Sequence, residues 1–135
     1  MGQTTLDRAL AGKGAGIYTW NAEPTGPERL ALTKFGAVYQ VRLPPDANKA
    51  AVIDQFAEAL KLDESFGRNW DALNDVLRDL PDGILIVHDH GINADVANTL
   101  VDLVRDLVGP SLTAVVCRAG RTKAERAQEP RLTPL

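Results

Sequence analysis

One cysteine in 135 residues, Cys117, rules out an internal disulfide framework. Its neighbours Val115 and Val116 are apolar, which predicts a buried and inert thiol. No run approaches the roughly 18–20 apolar residues of a membrane span. Residues 1–16 lack the apolar core of a secretory leader, so a cytoplasmic location is expected. Basic charge is short as well. Fifteen Lys and Arg against 18 Asp and Glu leave a net charge of −3, which argues against direct nucleic-acid binding and permits a basic protein partner.

Catalytic groups are equally sparse. The two histidines, His88 and His90, flank Asp89 at the end of an apolar run. Residues i and i+2 of a strand point to one side, so the two imidazoles can face a common metal. Asp89 then faces the other way, and two ligands fall short of the usual three or four. A small metal-dependent enzyme using His88, Asp89 and His90 is the enzymatic alternative. Gly12 to Gly16 is glycine-rich, but it lacks the spacing of a phosphate loop and the strand-to-helix setting. No Ser/His/Asp or Cys/His set stands out. The sequence assigns no catalytic residue, no metal and no cofactor.

What is present is an alternation of elements. Thr5 to Ala11 reads as a short helix ended by Gly12, and Ile17 to Trp20 as a short strand. Glu28 to Lys34 reads as a helix stopped near Gly36. Ala37 to Leu43 has strand periodicity and ends at Pro44-Pro45. Asn48 to Leu60 carries Val52, Ile53, Phe56 and Leu60 on a helical stripe. A further helix after Asn69 ends before the turn Pro81-Asp82-Gly83. Ile84 to Val87 is an unbroken apolar run, as a strand buried on both faces requires. Asn93 to Val108 is a helix with Val96, Leu100, Leu103 and Leu107 inward, closed by Gly109-Pro110. Leu112 to Cys117 is another apolar strand. The chain from residue 119 to 135 is charged and punctuated by proline, and is expected to fray as a flexible tail. Helical crossovers between strands make this a small α/β plan with parallel strands. Whether Ile17 to Trp20 adds a strand at the sheet edge is open at this point.

The helix after Asn69 is the most informative segment. Asn69 caps it, and Trp70, Leu73, Leu77 and Leu80 fall on one face that is expected to be buried. Asp71 and Asp75 stand four apart on another face. Like charges at that spacing repel by roughly 0.2–0.5 kcal/mol, so stability alone gives little reason to pair them. Arg68 precedes Asp71 by three residues and Arg78 follows Asp75 by three, so an ordinary reading as surface ion pairs stays open beside a functional one.

The run Phe66, Gly67, Asn69, Trp70, Asp71, Ala72, Leu73, Asp75, Leu77 resembles the barstar family, small inhibitors of secreted guanyl-specific ribonucleases. The resemblance extends in element order over residues 35–118, with residues 1–34 as an N-terminal extension, all within one barstar-like domain of 1–135. It implies a three-stranded parallel sheet packed by helices, with a fourth edge strand as the open question. It also implies a protein that is not an enzyme, whose acidic helix and leading loop plug the positive site of a guanyl-specific ribonuclease.

By that resemblance Asp75 matches the acid that enters deepest and Asp71 a second acid one turn earlier. Gly67, Arg68 and Asn69 match a loop whose backbone faces the enzyme, and Phe66 keeps an aromatic beside it. Arg105-Asp106 lines up with an Arg-Glu pair, which makes Asp106 a peripheral contact; a plain solvated position is its alternative. Ser65 and Asn74 replace aromatics of the best-known members, and Arg78 replaces a small neutral residue on the binding face. An immunity protein on the same scaffold, directed at an unrelated toxin, is the competing interaction reading. Oligomeric state is not implied.

Overall fold

The computed structural model describes residues 5–13, 16–20, 22–80, 83–91, 94–107, 112–118 and 132–135. Five strands form one sheet: β1 (Ile17–Trp20), β2 (Ala37–Leu43), β3 (Gly83–Asp89), β4 (Leu112–Cys117) and β5 (Thr133–Pro134). Their order is β2-β3-β4-β1-β5 and every pairing is parallel. Helices α1 (Leu6–Leu10), α2 (Gly26–Ala31), α3 (Lys49–Ala59), α4 (Trp70–Arg78) and α5 (Ala94–Leu107) pack about it, with a 3-10 turn at Leu32–Phe35.

The centre follows from hydropathy. All seven residues of β3 are buried, as the unbroken apolar run requires of a strand covered on both faces. Gly83 begins it where β2 comes close: a Cβ there would lie 1.9 Å from the Ala37 carbonyl oxygen. Only glycine fits that contact.

Alternation along the strands sorts side chains to two cores. On one face Val41, Leu43, Leu85, Val87, Ala114 and Val116 meet Val52, Ile53 and Phe56 of α3, Leu73 and Leu77 of α4, and Leu100 and Val104 of α5. On the other, Ile84, Ile86, Val115, Cys117 and Tyr18 meet Leu6 and Leu10 of α1 and Leu32 of the 3-10 turn. The N-terminal extension is thus the cover of the second face. It holds together by its own hydrogen bonds. Thr25 and Glu28 form a capping box at the start of α2. The other Glu28 oxygen accepts the Leu6 backbone N–H at 2.7 Å, which ties α1 to α2.

Several expectations change. The small parallel α/β sheet is as expected, but the strand left open, β1, joins it between β4 on one side and β5 on the other rather than at its edge. The expected free tail is partly paired: Thr133–Pro134 add to β1, and the Leu135 N–H donates to the Thr19 carbonyl at 3.1 Å. Residues 119–131 lie outside the described residues, as do Pro81, Asp82, Asn93, Val108 and Gly109-Pro110. The second helix starts at Gly26 rather than Glu28, because Thr25 is its cap, and it tightens to the 3-10 turn where a longer helix was expected.

Candidate functional site

The segment from Leu60 to Arg78 builds the site. Helix α3 ends in a paired closure: Lys61 N–H donates to the Glu58 carbonyl at 3.2 Å and Leu62 N–H to Ala57 at 2.9 Å. This is a Schellman arrangement, with Lys61 in the left-handed position usually given to glycine (φ 55). Asp63 then organises the loop. Its Oδ1 accepts the Ser65 backbone N–H at 2.9 Å and also the Ser65 hydroxyl. The hydroxyl first, and then the N–H, hold the Asp63 carboxyl below its usual range. Phe66 is half-buried against the first core, and Gly67 and Arg68 are exposed.

Asn69 fastens loop to helix from both sides. Its Oδ1 accepts the Ala72 N–H at 2.7 Å, the expected cap, while its Nδ2 donates to the Gly67 carbonyl at 3.2 Å. From there Leu73 and Leu77 are buried, at 0% and 2% exposure. Trp70 and Leu80 are only half-buried, which corrects the expected four-residue buried face. Trp70 stands in the first turn, at the margin of the core, and Leu80 lies beyond the helix end at Arg78.

Asp71, Asp75 and Arg78 are exposed on α4, and Asn74 is half-buried between them. Among the described residues neither Asp71, Asp75 nor Arg78 takes part in an ion pair. The local pairing that spacing allowed is therefore not made. Arg68 turns instead to Asp54 on α3. An open cleft of about 450 Å³ runs between loop and helix, with Lys61, Asp63, Phe66, Gly67, Asp75 and Val76 in its walls. Its Lys61–Ser65 side was not among the expected site residues. The Asp-x-Ser spacing of a side-chain turn is the signal that marks it. Asp106 is exposed on α5, which packs on α4; Arg105 is 3.7 Å from Asp102 on the same helix.

The histidines are arranged differently. His88 is 1% exposed, with Nε2 at 3.2 Å from Gln40 Oε1. Its Nδ1 lies 3.9 Å from Glu23 Oε1, and His90 Nε2 lies 3.8 Å from the same oxygen. Arg42 holds that oxygen at 3.2 Å. Burial first, then the Arg42 charge, push the His88 imidazole below its usual value. Asp89 points to the opposite face, accepting the Gly91 N–H at 2.8 Å with Arg118 Nε at 3.6 Å. Among the described residues no group of three or more His, Cys, Asp or Glu is placed to hold a metal. Cys117 is buried, and burial pushes its thiol up to about 12, which removes the thiolate needed for reactivity. No helix among the described residues is long and apolar enough to cross a membrane.

Beside this geometry stands one family match: a model described as Barstar (barnase inhibitor) fits residues 37–107, just over half of the chain. That span runs from β2 through α3, the loop, α4 and β3 to the end of α5. No curated protein and no solved structure matches the chain.

Proposed function

Because the chain belongs to the barstar family, we propose that it inhibits a guanyl-specific, barnase-like ribonuclease by laying the Gly67–Asn69 loop and the acidic face of α4 over the enzyme's active site. The observation that carries this reading is the pair Asp71 and Asp75, exposed on a capped helix inside the matched span and without ion-pair partners among the described residues. A ribonuclease must hold a phosphodiester, so its site is cationic and low in water when covered. An acid on a preorganised helix suits that site. It brings charge without the ordering cost that a flexible segment carries.

Asp75 takes the place of the substrate phosphate, and Asp71, in the first turn of α4, is eased by the positive end of the helix dipole. Phe66 and Asn74 supply contact area beside the acids, and Asp106 a peripheral charge. The protein acts without catalysis, metal or cofactor, in the cytoplasm of a bacterial cell, where it guards the host from the enzyme. One feature favours the second reading, an immunity protein against a different toxin. Arg78 lies exposed on the same helix as the acids, with no ion-pair partner among the described residues, and it would oppose a purely positive pocket.

Titration of barnase with the purified protein tests the first reading. RNA cleavage should vanish at an equimolar ratio with no metal added. A requirement for large excess, or turnover of RNA by the protein alone, overturns it.

A further inference from the structure

We propose that Asp54, outside the binding face, is a positioning residue: it holds Arg68 against α3, so that the acids of α4 stay open to a cationic partner. The binding part of this inference rests on the inhibitor reading. Sequence spacing offers Arg68 a near partner, Asp71, at i+3. The structure does not use it. Arg68 adopts a left-handed backbone (φ 47), one of three non-glycine residues that do so among the described residues, and its guanidinium meets the Asp54 carboxylate from the neighbouring helix. The next residue, Asn69, locks the loop on both sides through Gly67 and Ala72. With its charge matched by Asp54, Arg68 neither neutralises Asp71 nor presents an unpaired cation to a positive surface.

Energetics separate this role from a structural one. Arg68 and Asp54 side chains are 58% and 57% exposed, and an ion pair that open adds little to folding. Its removal should therefore leave the melting temperature nearly unchanged. The effect falls on encounter with a charged partner, where local sign and placement of charge set the association rate.

The experiment compares Asp54→Asn, Asp54→Glu, Arg68→Gln and the double variant Asp54→Asn/Arg68→Gln, with barnase as the probe. Asp54→Asn should slow association several-fold at low salt and flatten its salt dependence, and Asp54→Glu should restore it. Adding Arg68→Gln to Asp54→Asn should return the rate to that of Arg68→Gln alone. A double variant slower than Arg68→Gln alone would mean that Asp54 acts by its own charge and not through Arg68, which overturns the proposal. A second reading needs no partner. In the free protein Asp54→Asn should move the Arg68 Nε–H resonance and speed amide exchange at residues 67–69 several-fold. If neither changes, the clamp does not exist. A wild-type protein that fails to bind barnase sinks the inhibitor reading, while the Arg68 resonance still decides the clamp.

Discussion

On the N-terminal face of the sheet, acids are bonded. Asp7 accepts the Thr5 hydroxyl at 2.6 Å and lies 3.2 Å from Lys34; Glu28 accepts two backbone N–H groups; Glu23 holds Arg42. On the other face Asp71 and Asp75 have no such partners among the described residues. The first set is bonded within the fold, and in Glu28 burial adds to the balance. Burial raises the Glu28 carboxyl, but the N–H groups of Leu6 and Thr25 outweigh it and leave the group below its ordinary value. The second set is left available to something else. Residue type does not separate the two sets of acids; partners do.

The sharpest way to break this contrast is to truncate an acid on each side. Asp75→Ala should cost on the order of 2–5 kcal/mol in binding a basic ribonuclease, mostly in dissociation, because the partner's cations are left buried and unpaired. Its melting temperature should stay level or rise slightly as the repulsion with Asp71 goes. Asp71→Ala should cost less, and Asp106→Ala should chiefly lower the association rate and its salt sensitivity. Kinetics at two salt concentrations beside melting curves would show this. An Asp75→Ala protein that binds normally but melts early would make Asp75 a structural acid like the others.

Trp70 tests where binding ends and core begins. Being half-buried, it should lose about 2 kcal/mol of stability on truncation to alanine, short of the ~3–5 kcal/mol of a fully buried tryptophan. Chemical denaturation measures it; full stability with lost binding would put the indole on the partner side.

Glu28→Ala should do the reverse of Asp75→Ala. Loss of a capping box and of the Leu6 bond should cost roughly 1–2 kcal/mol of stability. Inhibition of barnase should be unchanged for the folded fraction, and a loss of inhibition at constant stability would refute the division of labour.

The smallest effect is expected of pH. His88 has a folded value below its unfolded one, about 6.5. Between the two values the unfolded chain binds more protons, so stability is complete above the unfolded value and is lost as pH falls toward the folded one. Melting curves from pH 7.5 to 5 should show a drop that is smaller in His88→Gln. An unchanged slope in that variant would place the titrating group elsewhere.

Local patterns carried much of this. The ranges of β1, β2 and β4 follow from hydropathy and punctuation, and the Asn69 cap from a single residue type. What local reading misses is contact across the fold. Arg68 and Asp54 are 14 residues apart, beyond any helical spacing, so spacing offered only the near partner as an open alternative. The neighbour of β1 is β4, nearly a hundred residues away, and no periodicity encodes that. The Thr25–Glu28 box, by contrast, was legible as a Thr-x-x-Glu pattern and would have placed the start of α2.

The two-residue strand β5 has a consequence for how copies of this molecule meet. A chain that docks on a sheet edge needs a row of backbone donors, and Pro134, half of that strand, has none. Strand β1 would otherwise present its bare flank beside β5's position. With Leu132–Leu135 laid along it, the sheet is stoppered on that side, as a zip is closed by its end-piece. Concentrated solutions of the protein should resist edge-to-edge growth there, and removal of the Leu132–Leu135 segment from β1 should invite it.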